Sequence, residues 1–498
     1  MIKQIFEKYS ITNLKESVNK YGYKYRTRDL IMQFLTLVVC IIIVGVISRL
    51  HARYIMFLIL IGILLTPIVA RAIFKGLHSI KRFAILSDYL TNIIPIFLQK
   101  TKISYTLKEL REISAYDMKE SIDKAIDYLD NTKNDVDVYE NSLKIIEKDF
   151  KNSRLNAVHK LLVNVEKNNS LNFKDMANDM IVDIENWIKR TYNFQKELKS
   201  RKAKLILLCL LILFMNSVFI GLYDSSKYFV GFTDNYYYQI LTTAFISIIM
   251  IITTIILVRL NGNWLVDDET INDEDLKKTY QVYKNGKTNN LVCLLISVIF
   301  LILGIVFYII KENIIISLIC VAFAVLMYSR KDFKVKSAYK KINKSLMYEF
   351  PKWLRDVCIK VNDMTVINAI ESSLDAVSYP LRLEIIKFLD KAKKDPTSIK
   401  PYNEFLSSYK LDDASNSMKV LYSVNNVSKK EIRNRISSLI VRNQELLATA
   451  EKISNDDEIM GIEAIAYVPT LFFCIQMMCS MFLMFSYMMS NISQAVLF

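Results

Sequence analysis

Apolar and charged residues alternate in blocks along this chain. Seven blocks are apolar enough to cross a bilayer: Leu30–Ser48, Tyr54–Phe74, Leu205–Tyr223, Tyr238–Val258, Leu291–Ile310, Ile314–Tyr328 and Ala464–Met489. A hydrocarbon core of ~30 Å needs about 20 such residues per helix. The fifth and sixth are separated only by Lys311-Glu312-Asn313, so a tight helical hairpin is expected. Between the blocks, apolar residues recur in steps of three and four, the helical period. One such series is Phe173, Met176, Met180, Ile184, Trp187, Ile188 and Tyr192; another is Ile432, Ile436, Leu439, Ile440, Leu447 and Ile453. Both run into apolar blocks. Only 10 Gly and 7 Pro occur in 498 residues, which favours long helices over turn-rich sheets.

The pattern repeats. Apolar blocks begin near 29, 54 and 203, and again near 289, 314 and 463, each pair 260 residues apart. Tyr139-Glu-Asn-Ser-Leu143 corresponds to Tyr402-Asn-Glu-Phe-Leu406, and Asn156–Leu161 to Asn416–Leu421. An Asn pair follows in each copy, Asn168-Asn169 and Asn425-Asn426, where Asn tolerates the left-handed backbone of a helix–helix turn. Ser428-Lys-Lys-Glu431 has capping-box spacing. The expected fold is an all-α polytopic membrane protein with about seven transmembrane helices and two duplicated cytoplasmic helical bundles.

The expected domains are a basic segment 1–28, a membrane hairpin 29–74, a first bundle 75–202, spans three and four in 203–260, an acidic linker 261–288, a second hairpin 289–328, a second bundle 329–462, a seventh span in 463–490 and an external tail 491–498.

Charge orients the spans. The net charge is +15. Lys24, Arg26 and Arg28 precede the first span, Lys75, Lys81 and Arg82 follow the second, and Lys199, Arg201, Lys202 and Lys204 precede the third. Basic residues mark the cytoplasmic side, so the N-terminus and both bundles are expected inside. Arg49, His51 and Arg53 run against that majority. The basic surplus is assigned to this rule rather than to nucleic acid. The N-terminal segment has no cleavage-site pattern and is not expected to be a removed signal.

The spans are almost free of ionisable groups, which argues against a pump or coupled transporter. Pro67 and Pro469 are expected to kink their helices. Asn216 and Gln476 are expected to serve helix packing or contact with a membrane-embedded partner. The seven Cys and three His form no metal or disulfide framework. Gly286-Lys287-Thr288 mimics the end of a phosphate-binding loop, but Gln281 stands where its first Gly is needed. Neither a catalytic constellation nor a cofactor or metal site is expected.

The layout resembles that of type II secretion F-domain proteins, particularly the paired platform proteins of Tad (Flp) pilus systems. Phe350-Pro351-Lys-Trp353-Leu354, Val366-Ile-Asn-Ala369-Ile370 and Leu421–Val427 with Ile432 carry the resemblance in the second half. Leu90–Ile94 and Leu107-Lys-Glu-Leu110 fill the corresponding places in the first. Family members carry Gly in turns where this chain has Thr101-Lys102 and Asn362-Asp363, and Lys102 fits such a turn poorly.

The resemblance implies a non-enzymatic platform in a bacterial cytoplasmic membrane, joining a cytosolic hexameric secretion ATPase to pilin or pseudopilin subunits. Membrane lipid and further copies of the chain complete the expected partners. Lys81, Arg82, Lys100, Lys102, Lys352, Arg355 and Lys360 are the expected ATPase-docking residues, with an ordinary solvated face as the alternative for each. The rival functions are a scaffold or sensor binding another cytosolic protein and, less favoured, a permease or channel.

Overall fold

A computed structural model gives the architecture. It describes residues 27–132, 137–168, 173–224, 232–259, 273–285, 314–361, 364–374, 377–424 and 429–496, with the isolated positions 18, 264, 297, 298 and 301. Leu291–Ile310, the turn Asn362-Asp363 and the segment containing Asn425-Asn426 and Ser428 fall wholly or mostly outside these residues.

The described chain is helical. Helix α1 (Thr27–Ile47) and α2 (Ala52–Lys100) form the first hairpin, and α2 continues unbroken from the membrane into the first bundle. There it meets α3 (Ile103–Ile113), α4 (Tyr116–Asn131), α5 (Val138–Asp149), α6 (Ser153–Asn168) and α7 (Phe173–Asp224). Helix α8 (Tyr236–Arg259) re-enters the apolar region and α9 (Asp273–Asn285) lies in the linker. The second bundle is built from α10 (Ile314–Lys360), α11 (Val366–Glu371), α12 (Tyr379–Lys394), α13 (Lys400–Glu404), α14 (Asp412–Val424) and α15 (Lys429–Val496).

Four helical stretches are long and apolar enough to cross a membrane: Ala52–Lys100, Ala177–Gly221, Tyr236–Arg259 and Ser438–Ser486; Ile31–Ile47 is apolar but shorter. This is an all-helical membrane protein. The outward faces carry Leu207, Leu210 and Phe214, each more than half exposed. That is costly in water and natural against lipid.

Two soluble cores hold the bundles. In the first, Phe83, Leu90 and Phe97 of α2 meet Leu110, Ile122, Ile146, Val158 and Trp187. In the second, Leu346, Trp353 and Val357 of α10 meet Ile370, Phe388, Tyr402, Leu421 and Leu439. A third cluster lies within the membrane helices, where Ile41, Leu58, Ile212 and Phe245 pack together with Phe472 and Phe473 against them. The first hairpin closes tightly because Gly62 has no side chain: a Cβ there would stand 2.6 Å from Leu37. Small residues at such crossings let apolar helices approach.

Turn chemistry explains several boundaries. Helix α2 ends at Thr101, which takes the left-handed conformation at φ 49° and donates its N–H to the Phe97 carbonyl. Lys102 sits in extended backbone. The strained position expected near Lys102 therefore falls one residue earlier. The acidic linker residues Asp273, Glu274 and Asp275 make the first turn of α9, where negative charge complements the helix dipole.

Candidate functional site

The most distinctive site is the seam where α7 and α15 run side by side from the bundles into the membrane. At its bundle end Gln444 donates to the Asp179 carbonyl (2.9 Å). Next, the Arg190 guanidinium reaches Glu451 (3.0 Å). Arg201 then pairs with Glu463. Within the apolar stretch Gln476 Nε2 donates to Asn216 Oδ1 (2.9 Å). These partners are 265, 261, 262 and 260 residues apart. A nearly constant separation means that the helices are parallel and close to in register. At 1.5 Å per residue the paired length, Asp179 to Asn216, is about 55 Å.

A buried charge cluster locks the seam at bundle level. Arg154, in the first turn of α6, is 1% exposed. Asn152 fixes that turn by accepting from the Arg154 N–H (2.9 Å) and the Leu155 N–H (3.3 Å). The Arg154 guanidinium donates to Asp183 on α7 (3.3 Å) and to Glu451 on α15 (2.7 Å). It also lies 4.9 Å from the centre of the Trp187 ring. Glu451 accepts from both Arg154 and Arg190, and Asp183 adds a second carboxylate to Arg154. Such a pairing offsets the cost of burying charge, whereas removal of one partner leaves that cost uncompensated.

Beside the cluster, Asp183, Arg355, Asn443 and Gln444 border a cavity of about 20 Å³. That is room for about one water, not a substrate. Lys160 on α6 adds an exposed bridge to Asp356 on α10 (2.9 Å).

The first bundle contains a second buried polar group. His159 bonds through Nδ1 to Glu147 (3.0 Å) and through Nε2 to the Tyr89 hydroxyl (3.1 Å). Burial, reinforced by Glu147, raises the Tyr89 pKa well above that of a free phenol. Both ring nitrogens are engaged within a packed core, so the trio ties α2, α5 and α6 together. Among the described residues no His, Cys, Asp and Glu cluster is placed to hold a metal.

Most of the basic residues singled out from sequence are engaged in local contacts. Lys81 and Lys100 stand nineteen positions apart on α2, about 28 Å. Lys81 pairs with Asp117 (3.7 Å). Arg82 donates to the Asp149 carbonyl and lies over Phe150 (4.4 Å), and burial lowers its pKa. Lys100 covers Tyr105 (4.1 Å), and the Lys102 side chain is exposed. Lys352 covers Tyr348 (4.3 Å), and Arg355 lines the seam cavity. Lys360 donates to the Ser372 carbonyl (2.9 Å) and hydroxyl (3.0 Å); burial lowers its pKa against the pull of Asp356.

The membrane residues fare differently. Asn216 and Gln476, 2% and 3% exposed, partner each other. Pro67 lies inside α2 and Pro469 inside α15, the first half-buried and the second buried.

Sequence reasoning missed the cluster of Arg154, Asp183, Arg190 and Glu451. It also missed Gln239, which is 0% exposed at the start of α8. Its Nε2 donates to the Arg49 and Thr233 carbonyls (2.8 and 2.7 Å), and its Oε1 accepts from the His51 N–H (2.9 Å). With the Tyr238 hydroxyl on the Ser48 carbonyl (3.0 Å), it clamps the loop of the first hairpin, where Arg49 sits at φ 54°. Arg49, His51 and Arg53, set aside above as exceptions to the charge rule, flank this clamp, and His51 faces Asp234 (3.7 Å).

No family model, curated protein or solved structure matches this chain.

Proposed function

We propose that this chain is a platform protein of a pilus or type II secretion-like machine in a bacterial cytoplasmic membrane. It carries two duplicated helical bundles in the cytosol, seven spans, its N-terminus inside and its C-terminus outside. It has no catalytic role of its own. A cytosolic hexameric ATPase engages the bundles, and the membrane helices handle pilin or pseudopilin subunits.

The observation that carries this proposal is the continuity of α7 and α15. Helix α7 contributes Trp187 to the first soluble core and Ile212 to the membrane cluster without a break. Helix α15 does the same with Leu439 and Phe472. A continuous helix is stiff, so a force applied to a bundle reaches the membrane. The similar succession of helices in the two halves supports the duplication. Helix α2 ends at Lys100 and α10 at Lys360, 260 residues apart, and α4 and α12 each have 16 residues.

Crosslinking in native membranes, followed by purification of the full chain, tests the proposal. Recovery of a hexameric ATPase is expected, and its loss when Lys100 and Lys102 are changed to Glu would place contact at the tip of the first bundle. Reproducible recovery of a different cytosolic protein, with no ATPase, would replace the platform by a scaffold.

A further inference from the structure

Three membrane helices leave polar atoms unmet at one level. Gln476 of α15 donates to Asn216 Oδ1 of α7 (2.9 Å), a bond that uses one end of each amide. Asn216 Nδ2 and Gln476 Oε1 are buried and have no hydrogen-bond partner among the described residues. Exchanging N and O in both amides would reverse the bond and again leave one N–H donor and one carbonyl over, so the shortfall does not depend on how the amides are oriented. Thr242 of α8 adds a third group, because its Oγ1 is also buried without a partner. Elsewhere on α8, Thr243, Ser247 and Thr254 donate back to the carbonyl four residues earlier.

Packing on either side brings these atoms together. Ile220 of α7 shares a cluster with Tyr238 of α8, and Ile212 shares one with Ile246, so the two helices run antiparallel. Asn216 lies four residues from both Ile212 and Ile220, and Thr242 four residues from both Tyr238 and Ile246. Steps of four stay on one helix face. Asn216 and Thr242 therefore fall on facing sides, midway between the two contacts. On α15, Phe473 meets Phe245 at 6.2 Å and Leu483 packs against the Tyr238 cluster, which sets Gln476 at the same height. Asn216, Gln476 and Thr242 are 2%, 3% and 0% exposed. Beside them the packing of α8 on α15 is open: Leu241, Ala244, Cys479 and Phe482 border a groove of about 540 Å³.

We propose that this junction is a binding site for a single water, which donates to Gln476 Oε1, accepts from Asn216 Nδ2 and bonds to the Thr242 hydroxyl. A buried water makes about three hydrogen bonds. The junction offers one donor, one acceptor and a hydroxyl that can serve as either. No Asp, Glu, Lys or Arg occurs in Leu205–Tyr223, Tyr238–Val258 or Ala464–Met489, so the occupant is neutral. An unmet polar group is costly in hydrocarbon, and one water meets three of them at once. The groove between α8 and α15 gives the water room and a way in. A side chain from another protein would have to part those helices to reach atoms buried this deeply. The site extends the bond between α7 and α15 into a three-helix node that includes α8. It is independent of any pilus function, because it follows from the packing of these helices alone.

Electron cryo-microscopy of the full chain in a lipid nanodisc, fine enough to show ordered water, tests the site directly. A density peak about 3 Å from Asn216, Gln476 and Thr242 is expected. No peak, direct bonding among the three side chains, or a lipid or protein group in its place would overturn the proposal. Unfolding of the full chain in detergent gives a second measure. Thr242→Val keeps the side-chain shape without the hydroxyl and should raise the unfolding equilibrium constant about threefold, the average effect of one such hydrogen bond in lipid. Thr242→Ser keeps the hydroxyl and should retain more of the native value. With Asn216→Leu and Gln476→Leu in place the water has lost its other partners, and adding Thr242→Val should then change nothing. The same threefold effect in that background would show that Thr242 acts without a shared water, and no effect of Thr242→Val in the otherwise native chain would equally overturn the proposal.

Discussion

Gln476 donates a 2.9 Å hydrogen bond to Asn216 within the apolar stretch of the seam, joining two positions 260 residues apart in the chain. The bond uses one N–H of Gln476 and the oxygen of Asn216. Asn216 Nδ2 and Gln476 Oε1 have no partner among the described residues.

That half-satisfied pair makes a double-mutant cycle informative. Interhelical hydrogen bonds in lipid are worth about 0.6 kcal/mol on average and up to about 1.7. Replacing either residue by Leu strands the other amide, so each single change should destabilise the protein. Asn216→Leu with Gln476→Leu should cost less than the sum of the two. Unfolding in detergent would measure it; strictly additive losses would show that the contact carries no coupling.

Glu451 should matter more. Glu451→Ala takes a carboxylate partner from the buried Arg154 and from Arg190. Breaking one member of a buried charge group costs about 3–5 kcal/mol. The Arg190 arm is a third exposed and adds little to that figure. Combining Glu451→Ala with Arg154→Met removes the stranded cation and should restore part of the loss. Chemical denaturation of the purified chain gives both values. A loss below about 1 kcal/mol would mean that the cluster does not hold the seam.

Cys358 offers a readout of the second core. Burial pushes its thiol pKa up to about 12 from the ordinary 9.0. The reactive species is the thiolate, so native protein near neutral pH should not be alkylated at this position. The linkage sign follows from the raised value. The folded state holds the proton more tightly, so stability is unaffected below about pH 9 and falls as pH rises from there toward about 12. Alkylation followed by mass spectrometry should label Cys358 only after unfolding, and rapid labelling of folded protein at neutral pH would contradict the packing.

Gln239 is the fourth test position. Gln239→Ala would release the His51 N–H and the Arg49 and Thr233 carbonyls, which are only partly buried, so each costs less than the about 1–3 kcal/mol of a fully buried stranded group. Faster trypsin cleavage at Arg49 and Arg53 is the expected consequence in detergent-solubilised protein. Unchanged cleavage would show that the loop is held by other contacts.

The long helices and their apolar faces were legible from periodicity alone, because lipid and core burial impose a helical period on Phe173–Tyr192 and Ile432–Ile453. Asn216 and Gln476 also stood out individually as polar residues in apolar stretches. Their mutual contact was within reach, since adding the repeat distance to one number gives the other. The charge cluster was less accessible. Arg154 lies among lysines and other polar residues in a segment that resembles any solvated helix surface, and it is buried by its packing against α7 and α15. Thr101 illustrates a further limit: sequence located the turn after α2, but the left-handed residue was decided by where the last helical carbonyl found its partner.

The near-constant separation of partners along α7 and α15 has a mechanical consequence. Sliding one helix past the other by a single turn would displace every pairing by about 3.6 residues. Gln444, Glu451, Glu463 and Gln476 would then lose their partners together, so shear along the seam is opposed at four levels simultaneously. Bending or twisting the pair as a unit leaves those pairings intact. The two helices are therefore keyed together, rigid to slippage and free to bend or twist only as a pair.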